Sequence, residues 1–521
     1  MKKEKGNLIR VNKHKNIILT TFQLIIAAFV AKGLGFVREM VLANYYGTSY
    51  ISDIYVAVQN IPAIIFTVFG TAVTTGFIPL YTELNVKKGK QEADKFANNV
   101  FNIFLILSIV LTILGVVFSR QLVTLFVGGF DGKTFELCNK FAKIVMPTSI
   151  AIILVYVYNA YLQIEGMFNQ NSLMNVPYNV LQIVFIAVGF YIGNAYILAV
   201  GLLVASYSQL VYLRILVKKN TKFTHTKYIG FSDPQIKQML ILVGPVFVST
   251  GVNQLNSIVD RSMASGLVEG SVSALNYSSE VANIVTQVII LSLTTILYPK
   301  MTELYAKNDE KKKKEFTETY LNVVSILVLP LSMLIFLFSK EIVQVLFGRG
   351  AFTDDTVLFV SKALKIYALG IAGASFRDVL NKVFYSMKNT FIPMINGIIA
   401  VLFNIGLNFV LVDKYEYLGL AFATSFSATI CTFLMFLQLC KRSKNLDVKN
   451  VASEFAKGII ATGFMTLVIL MAENFITIKL DIIRCIVFGS LGIVFYFIML
   501  ILLRERIVIE RVNNLRKITK V

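Results

Sequence analysis

A succession of apolar segments, most of them about 20 residues long, runs the length of this chain with the charged residues gathered between them. In a bilayer every backbone N–H and C=O must find its partner inside the protein, which restricts a spanning chain to helices or closed barrels. The segments are continuously apolar and do not alternate, so helices are expected. The predicted fold is an all-α polytopic membrane protein of about fourteen spans. Bulk composition agrees: 56% of the 521 residues are hydrophobic and 15% charged, with no separate polar stretch long enough for a soluble catalytic domain.

The first six spans are expected at 17–45, 54–84, 96–118, 139–166, 174–193 and 196–217. The next six fall at 237–264, 270–302, 316–338, 356–387, 391–412 and 417–440, and the last two at 455–473 and 480–503. The basic start, MKKEKGNLIRVNKHK, precedes an apolar run too long for a signal peptide and reads as the flank of a retained first span. Linkers rich in Lys and Arg (85–94, 217–227, 305–316, 441–450 and the tail from Arg504) alternate with poor ones (193–196, 265–270, 413–419). The positive-inside bias then puts both termini in the cytoplasm and the chain in the cytoplasmic membrane.

That distribution also disposes of the net charge of +20 as a nucleic-acid signal, because the cations sit in short loops and not along one stripe. Four scattered cysteines (Cys138, Cys431, Cys440, Cys485) and two histidines in basic loops (His14, His225) have no metal-ligand or redox spacing. No GxxxxGK[ST] loop is present, which argues against direct use of ATP, and no loop collects the carboxylates of a glycosyltransferase. Transport without covalent chemistry is expected.

The chain repeats itself. Thr82-Glu83-Leu84 recurs as Thr302-Glu303-Leu304, Ser119-Arg120 as Ser339-Lys340, and LVTLFVGG (122–129) as IVQVLFGR (342–349), all at an offset of 220; Asn171 recurs as Asn389 at 218. Spans 1–6 and 7–12 therefore read as two copies of one unit in the same orientation, a transporter architecture. The expected division is 1–220, 221–445, and 446–521 for spans 13 and 14 with the basic tail.

Charges and amides inside spans are costly and mark functional positions. Span 1 carries Lys32, Arg38 and Glu39 among Gly33 and Gly35; span 2 opens with Asp53, an alternative partner for Arg38. Span 7 places Asn253, Asn256 and Asp260 on one helical face beside Arg261. Span 8 lines up Asn276, Glu280, Asn283 and Gln287 over three turns, a stripe that cannot face lipid. Span 10 holds Arg377, Asp378, Asn381 and Lys382, span 11 Asn404 and Asn408, and span 12 Thr424. The cations suit an anionic headgroup such as a pyrophosphate; a lone carboxylate among amide and hydroxyl oxygens suits a small hard cation such as Na⁺.

Several stretches resemble one family. AKGLGFVREMVLANYYGTSYISDIYVAVQNIP (31–62), GFIPLYTEL (76–84), VDRSMASGLVEGSVSALNY (259–277), LFGRGAF (346–352) and YALGIAGASFRDVLNKVFYSMKNTFIPM (367–394) are similar to the MurJ/MviN lipid II flippases of the multidrug/oligosaccharidyl-lipid/polysaccharide exporter superfamily. The resemblance implies two six-helix lobes around a cationic cavity, alternating access, a tail groove at spans 13 and 14, and a monomer with no nucleic-acid partner. It carries the family's substrate-contacting positions onto Lys32, Arg38 and Asp53. It carries a sodium site onto Asp260, Asn404, Asn408 and Thr424. Arg261, Glu280, Arg377 and Lys382 complete the substrate-facing candidates, and Glu39, Asn253, Asn256, Asn276, Asn283 and Gln287 the cavity lining. The chain departs from the family at Phe66 and Thr67, where many members carry an arginine pair, at Glu280, where many carry arginine, and at Asn408, where some carry aspartate. The expected activity is movement of undecaprenyl-pyrophosphate-linked peptidoglycan precursor across the membrane. Two alternatives stay open at this point: a flippase for another polyprenyl-linked glycan, and a cation-coupled solute exporter.

Overall fold

The computed structural model describes residues 29–167, 173–221, 223–306, 310–443 and 446–511; at 72, 245–246, 248–249, 252–253, 288–297, 299 and 306 it describes the backbone alone. His14 and Asn171 lie outside the described residues. Those residues fold as helices joined by short turns, without a strand among them. They divide into two compact units, Met1–Gly270 and Ser271–Val521.

The first unit holds α1 (29–46), α2 (Tyr50–Lys88), α3 (Lys90–Val117), α4 (Ser119–Val127), α5 (Gly132–Val145), α6 (Thr148–Ile164), α7 (Asn175–Ile192), α8 (Tyr196–Asn220) and α9 (Pro234–Ser265). The second holds α10 (Ser271–Ala306), α11 (Glu310–Leu337), α12 (Ser339–Phe347), α13 (Asp354–Ser386), α14 (Phe391–Arg442), α15 (Val448–Phe475) and α16 (Asp481–Leu502). Within the described residues every expected span falls on helix; residues 17–28 of the first lie outside them. Among the described residues nine helices are long and apolar enough to cross a membrane, or ten if a bent pair counts as one span. The expected fourteen is reached only by counting α14 twice and adding α1, α9 and α10.

The sequence repeat reappears in the backbone. α3 and α11 are each 28 residues long and start 220 positions apart. α4 and α12 are each nine residues long, again 220 apart. Each is preceded by a phenylalanine in the same bent conformation, Phe118 at φ −94°, ψ 23° and Phe338 at φ −96°, ψ 23°.

One span differs from expectation, while the break expected between 412 and 417 is found inside α14. The span expected at 139–166 is broken into α5 and α6, bent by 44°. Pro147 lies at the break; it donates no N–H, so the helical hydrogen-bond ladder is interrupted there. In α14, Glu416 adopts φ 50°, ψ −136° and interrupts the helix. Asn404 nevertheless reaches Thr424 at 3.3 Å, although residues 20 apart on a straight helix lie about 30 Å apart. The two arms of α14 therefore fold back on each other, and Gly419 permits the approach, since a Cβ there would meet the Leu411 carbonyl at 2.8 Å.

The core of the first unit packs α2, α3 and α6 around Phe77, Tyr81, Phe96 and Tyr158, with Met239 of α9 against it. In the second unit α15 and α16 dock through Met465, Ile469, Phe488 and Tyr496 onto Ile326 and Phe338. The Tyr496 hydroxyl donates to the Ile326 carbonyl at 3.1 Å, and Arg484 ties the same helices by pairing with Glu341 at 3.2 Å and Glu473 at 2.9 Å.

Candidate functional site

In the first unit a charged pair is buried on α1. Arg38 and Glu39 form an ion pair with side-chain exposures of 14% and 5%. An isolated charge at such a position would be prohibitively desolvated, so each is held there by the other. The second guanidinium nitrogen donates to Asn179 Oδ1 on α7 at 3.3 Å. Asn179 in turn donates to the Asn175 carbonyl at 2.9 Å, and Gln209 of α8 donates to Asn175 Oδ1 at 2.9 Å. From α2, the Tyr55 hydroxyl donates to Gln182 Oε1 at 2.6 Å. Arg38 is thus the charged end of a polar network spanning four helices. Sequence reasoning missed the α7 contribution, although Asn175, Asn179 and Gln182 at i, i+4 and i+7 form one helical face.

Beside this network lies a cavity of about 500 Å³ with Gln59, Asn159, Gln163, Asn175, Tyr178 and Gln209 among its lining residues. All six side chains are neutral hydrogen-bonding groups.

The other predicted residues of the first unit are placed as follows. Asp53 is buried and its Oδ2 accepts from the Gly270 N–H at 2.8 Å; Arg38 pairs with its sequence neighbour and not with this carboxylate. Lys32 is exposed, one helical face away from Arg38 in α1. On α9, Asn256 donates to Asp260 Oδ2 at 3.1 Å, with Arg261 half-buried alongside. The Asn253 side chain lies outside the described residues.

In the second unit the α10 stripe grades outward: Asn276 and Glu280 are half-buried, Asn283 and Gln287 exposed. On α13 Arg377 lies 3.7 Å from Asp378, and the Lys382 ammonium stands 5.3 Å over the Tyr298 ring and 5.9 Å from that of Tyr385. The sharpest convergence is on α14. Asn408 donates to Asn404 Oδ1 at 3.0 Å, and Asn404 donates to Thr424 Oγ1 at 3.3 Å. Asn404 and Asn408 are buried and Thr424 partly so. These oxygens are hard neutral donors of the kind a monovalent cation takes, and they carry no charge of their own. Asp260 belongs to the first unit. No cluster of three or more His, Cys, Asp or Glu occurs among the described residues, so a thiolate or imidazole metal centre is not indicated there.

The connection between α8 and α9 is strapped to α3 by three asparagines. Asn98 donates to the Thr224 carbonyl (3.0 Å) and accepts from the Thr226 N–H (2.9 Å). Asn99 makes the same exchange with Gly230 (3.0 and 2.7 Å). Asn102 donates to the Thr226 and Tyr228 carbonyls (2.8 and 2.9 Å). His225 is seated against Phe101 and Phe223, 2.8 Å from the Tyr158 hydroxyl. Burial and the nearby Arg214 cation hold its imidazole below the ordinary histidine range.

Long apolar helices in two units, with a charged pair buried in the first, make a polytopic membrane protein with the fold seen in the exporter superfamily. The likeness to an inward-facing multidrug transporter of that superfamily supports the fold (TM-score 0.69, 17% identity, 80% of this chain and 94% of that one). Residues 42–488 match the model of the lipid II flippase MurJ family, and the chain belongs to that family. It is 27% identical over 452 residues to "Probable lipid II flippase MurJ" of Rickettsia prowazekii, covering 86% of this chain and 88% of the relative. The Aquifex aeolicus relative of the same description is 26% identical over 480 residues, covering 91% and 92%. A solved structure described as lipid II flippase MurJ, inward closed conformation, superposes with a TM-score of 0.80 at 26% identity, covering 93% of this chain and 99% of that one.

Proposed function

We propose that this protein is a lipid II flippase, a transporter and not an enzyme, moving undecaprenyl-pyrophosphate-linked peptidoglycan precursor from the inner to the outer leaflet of the cytoplasmic membrane. Family membership over residues 42–488 carries the reading. A pyrophosphate-linked glycan headgroup is too polar to cross hydrocarbon unaided, and a cation buried in α1 is the group that such a substrate requires. Arg38 is held by Glu39 and Asn179 in a fixed orientation, so its fork is preorganised for phosphate oxygens. Lys32 and Arg261 supply further positive charge, and the polyprenyl tail remains in the bilayer along apolar faces of α15 and α16. The basic linkers and both termini face the cytoplasm, and the protein acts as a monomer.

The membrane potential assists the step. Each charge moved is worth about 2.3 kcal/mol per 100 mV, so a dianion leaving a negative interior gains roughly twice that. A sodium ion held by the Asn404, Asn408 and Thr424 oxygens would favour one conformation and drive the return, through its differential affinity for the two states.

The test is headgroup exposure in cells depleted of the protein, read with an enzyme that cleaves lipid II only at the outer leaflet. Cleavage should fall on depletion and recover with the wild-type chain but not with Arg38→Ala. Persistence of cleavage on depletion, in cells lacking a second flippase, would transfer the assignment to another polyprenyl-linked glycan.

A further inference from the structure

Four chain ends of the second unit meet around a pocket of about 350 Å³ with Tyr305, Lys313, Lys314, Thr317, Arg442 and Ser443 in its lining. They come from the end of α10, the first two turns of α11, Met387 at the end of α13, and the end of α14 with the turn that follows. Lys313 is the unusual member. A lysine is seldom buried, yet this one is 9% exposed, its ammonium 5.3 Å over the Tyr305 ring and 2.8 Å from Glu310 Oε1. Glu310 is itself 64% exposed, which weakens its hold as a counter-ion. Lys314 lies 3.9 Å from Glu318, at the limit of an ion pair. Arg442 is exposed and makes no ion pair among the described residues. Among the described residues three cations and one carboxylate, Glu310, line the pocket, and the positive end of the 28-residue α11 opens on the same side.

We propose that this pocket binds a phosphate-bearing anion: Arg442 offers a planar fork for two phosphate oxygens, Lys313 a point charge from the pocket wall, and Ser443 a hydroxyl. The phosphate can come from the headgroup of an anionic phospholipid or from free phosphate. The pocket lies at the ends of helices, among them α11, α13 and α14, which are long and apolar enough to span a membrane, and a basic pocket between helix ends is a recognised headgroup site. The inference is independent of what the protein transports.

The experiment uses the full chain in nanodiscs of phosphatidylcholine alone or with phosphatidylglycerol, and reads lipid retained on stepwise delipidation by native mass spectrometry, with apparent melting temperature as a second readout. Wild-type protein should retain phosphatidylglycerol over phosphatidylcholine. Arg442→Gln should lower that preference about fivefold, and adding Lys313→Gln should lower it about fivefold again, the factor that one cation near an anionic surface carries. Arg442 is exposed, so its variant tests the site even where loss of Lys313 disturbs folding; Lys133→Gln, an exposed cation of the first unit, is the control. Inorganic phosphate titrated into phosphatidylcholine discs separates the sources. Stabilisation by phosphate, lost in Arg442→Gln, with no lipid preference identifies a free anion; a lipid preference without a phosphate response identifies a headgroup. Absence of both in the wild type, retention in the double variant equal to wild type, or an equal loss in the control overturns the proposal.

Discussion

The carboxylate of Asp53 accepts the backbone N–H of Gly270 at 2.8 Å, joining the first turn of α2 to the turn that follows α9. Gly270 has φ +89°, and a Cβ there would approach the Thr48 carbonyl oxygen to 2.4 Å. Only glycine fits this place, and the carboxylate satisfies the N–H that glycine leaves buried. Gly270→Ala should therefore destabilise by about 1–3 kcal/mol, read as a fall in apparent melting temperature in nanodiscs. Asp53→Asn keeps an acceptor oxygen and should fall less than Asp53→Ala; equal loss in the two would mean that the charge, not the hydrogen bond, matters.

Arg38 and Glu39 stabilise each other, so transport and folding must be separated. Arg38→Ala strands Glu39 and should lower abundance, since breaking a buried pair costs about 3–5 kcal/mol. Arg38→Ala with Glu39→Ala should restore abundance and still expose lipid II about ten to a hundred times more slowly, the range for one lost charge-assisted hydrogen bond. Wild-type exposure in the double variant would remove Arg38 from the substrate path.

The α14 trio predicts a cation effect. Thr424→Val and Asn404→Leu should each abolish the dependence of transport on Na⁺ while leaving the protein folded. Na⁺ dependence that survives in both variants assigns the coupling elsewhere.

His225 predicts an acid-sensitive strap. Its imidazole is held below its ordinary value of 6.5, first by burial and then by Arg214, so the folded state favours the neutral ring. Its stabilising contribution is then complete above about pH 6.5 and is lost as pH falls through the lowered folded value, because the unfolded chain takes up the proton first. Melting temperature measured from pH 8 to pH 5 should fall less in His225→Phe than in the wild type; parallel curves would show that the histidine is not coupled to stability.

Asn99 exchanges two hydrogen bonds with Gly230, at about 1 kcal/mol each. Asn99→Ala should free the 221–233 connection, and tryptic cleavage at the exposed Lys227 should quicken roughly thirtyfold. An unchanged cleavage rate would mean that Asn98 and Asn102 hold the strap alone.

Local chemistry set much of this protein. Apolar runs too long for a soluble core helix dictate spans, the 220-residue offset reappears as matched helices α3/α11 and α4/α12, and Asn256 with Asp260 meet on α9 because residues four apart on a helix are neighbours. Other features depend on which helix lies beside which, and sequence spacing carries no record of that. Sequence offered Asp53 as a partner for Arg38, but the fold pairs it with Glu39 while Asp53 turns to Gly270. The α7 amides acquired meaning only when α1, α2 and α8 were set against them. Thr424 reached Asn404 only because one non-helical residue, Glu416, folds α14 back on itself. The sequence determined the elements and the residue types available to them; tertiary structure decided the partners, because a buried charge or amide takes whichever complementary group the packing of distant segments places within hydrogen-bonding distance.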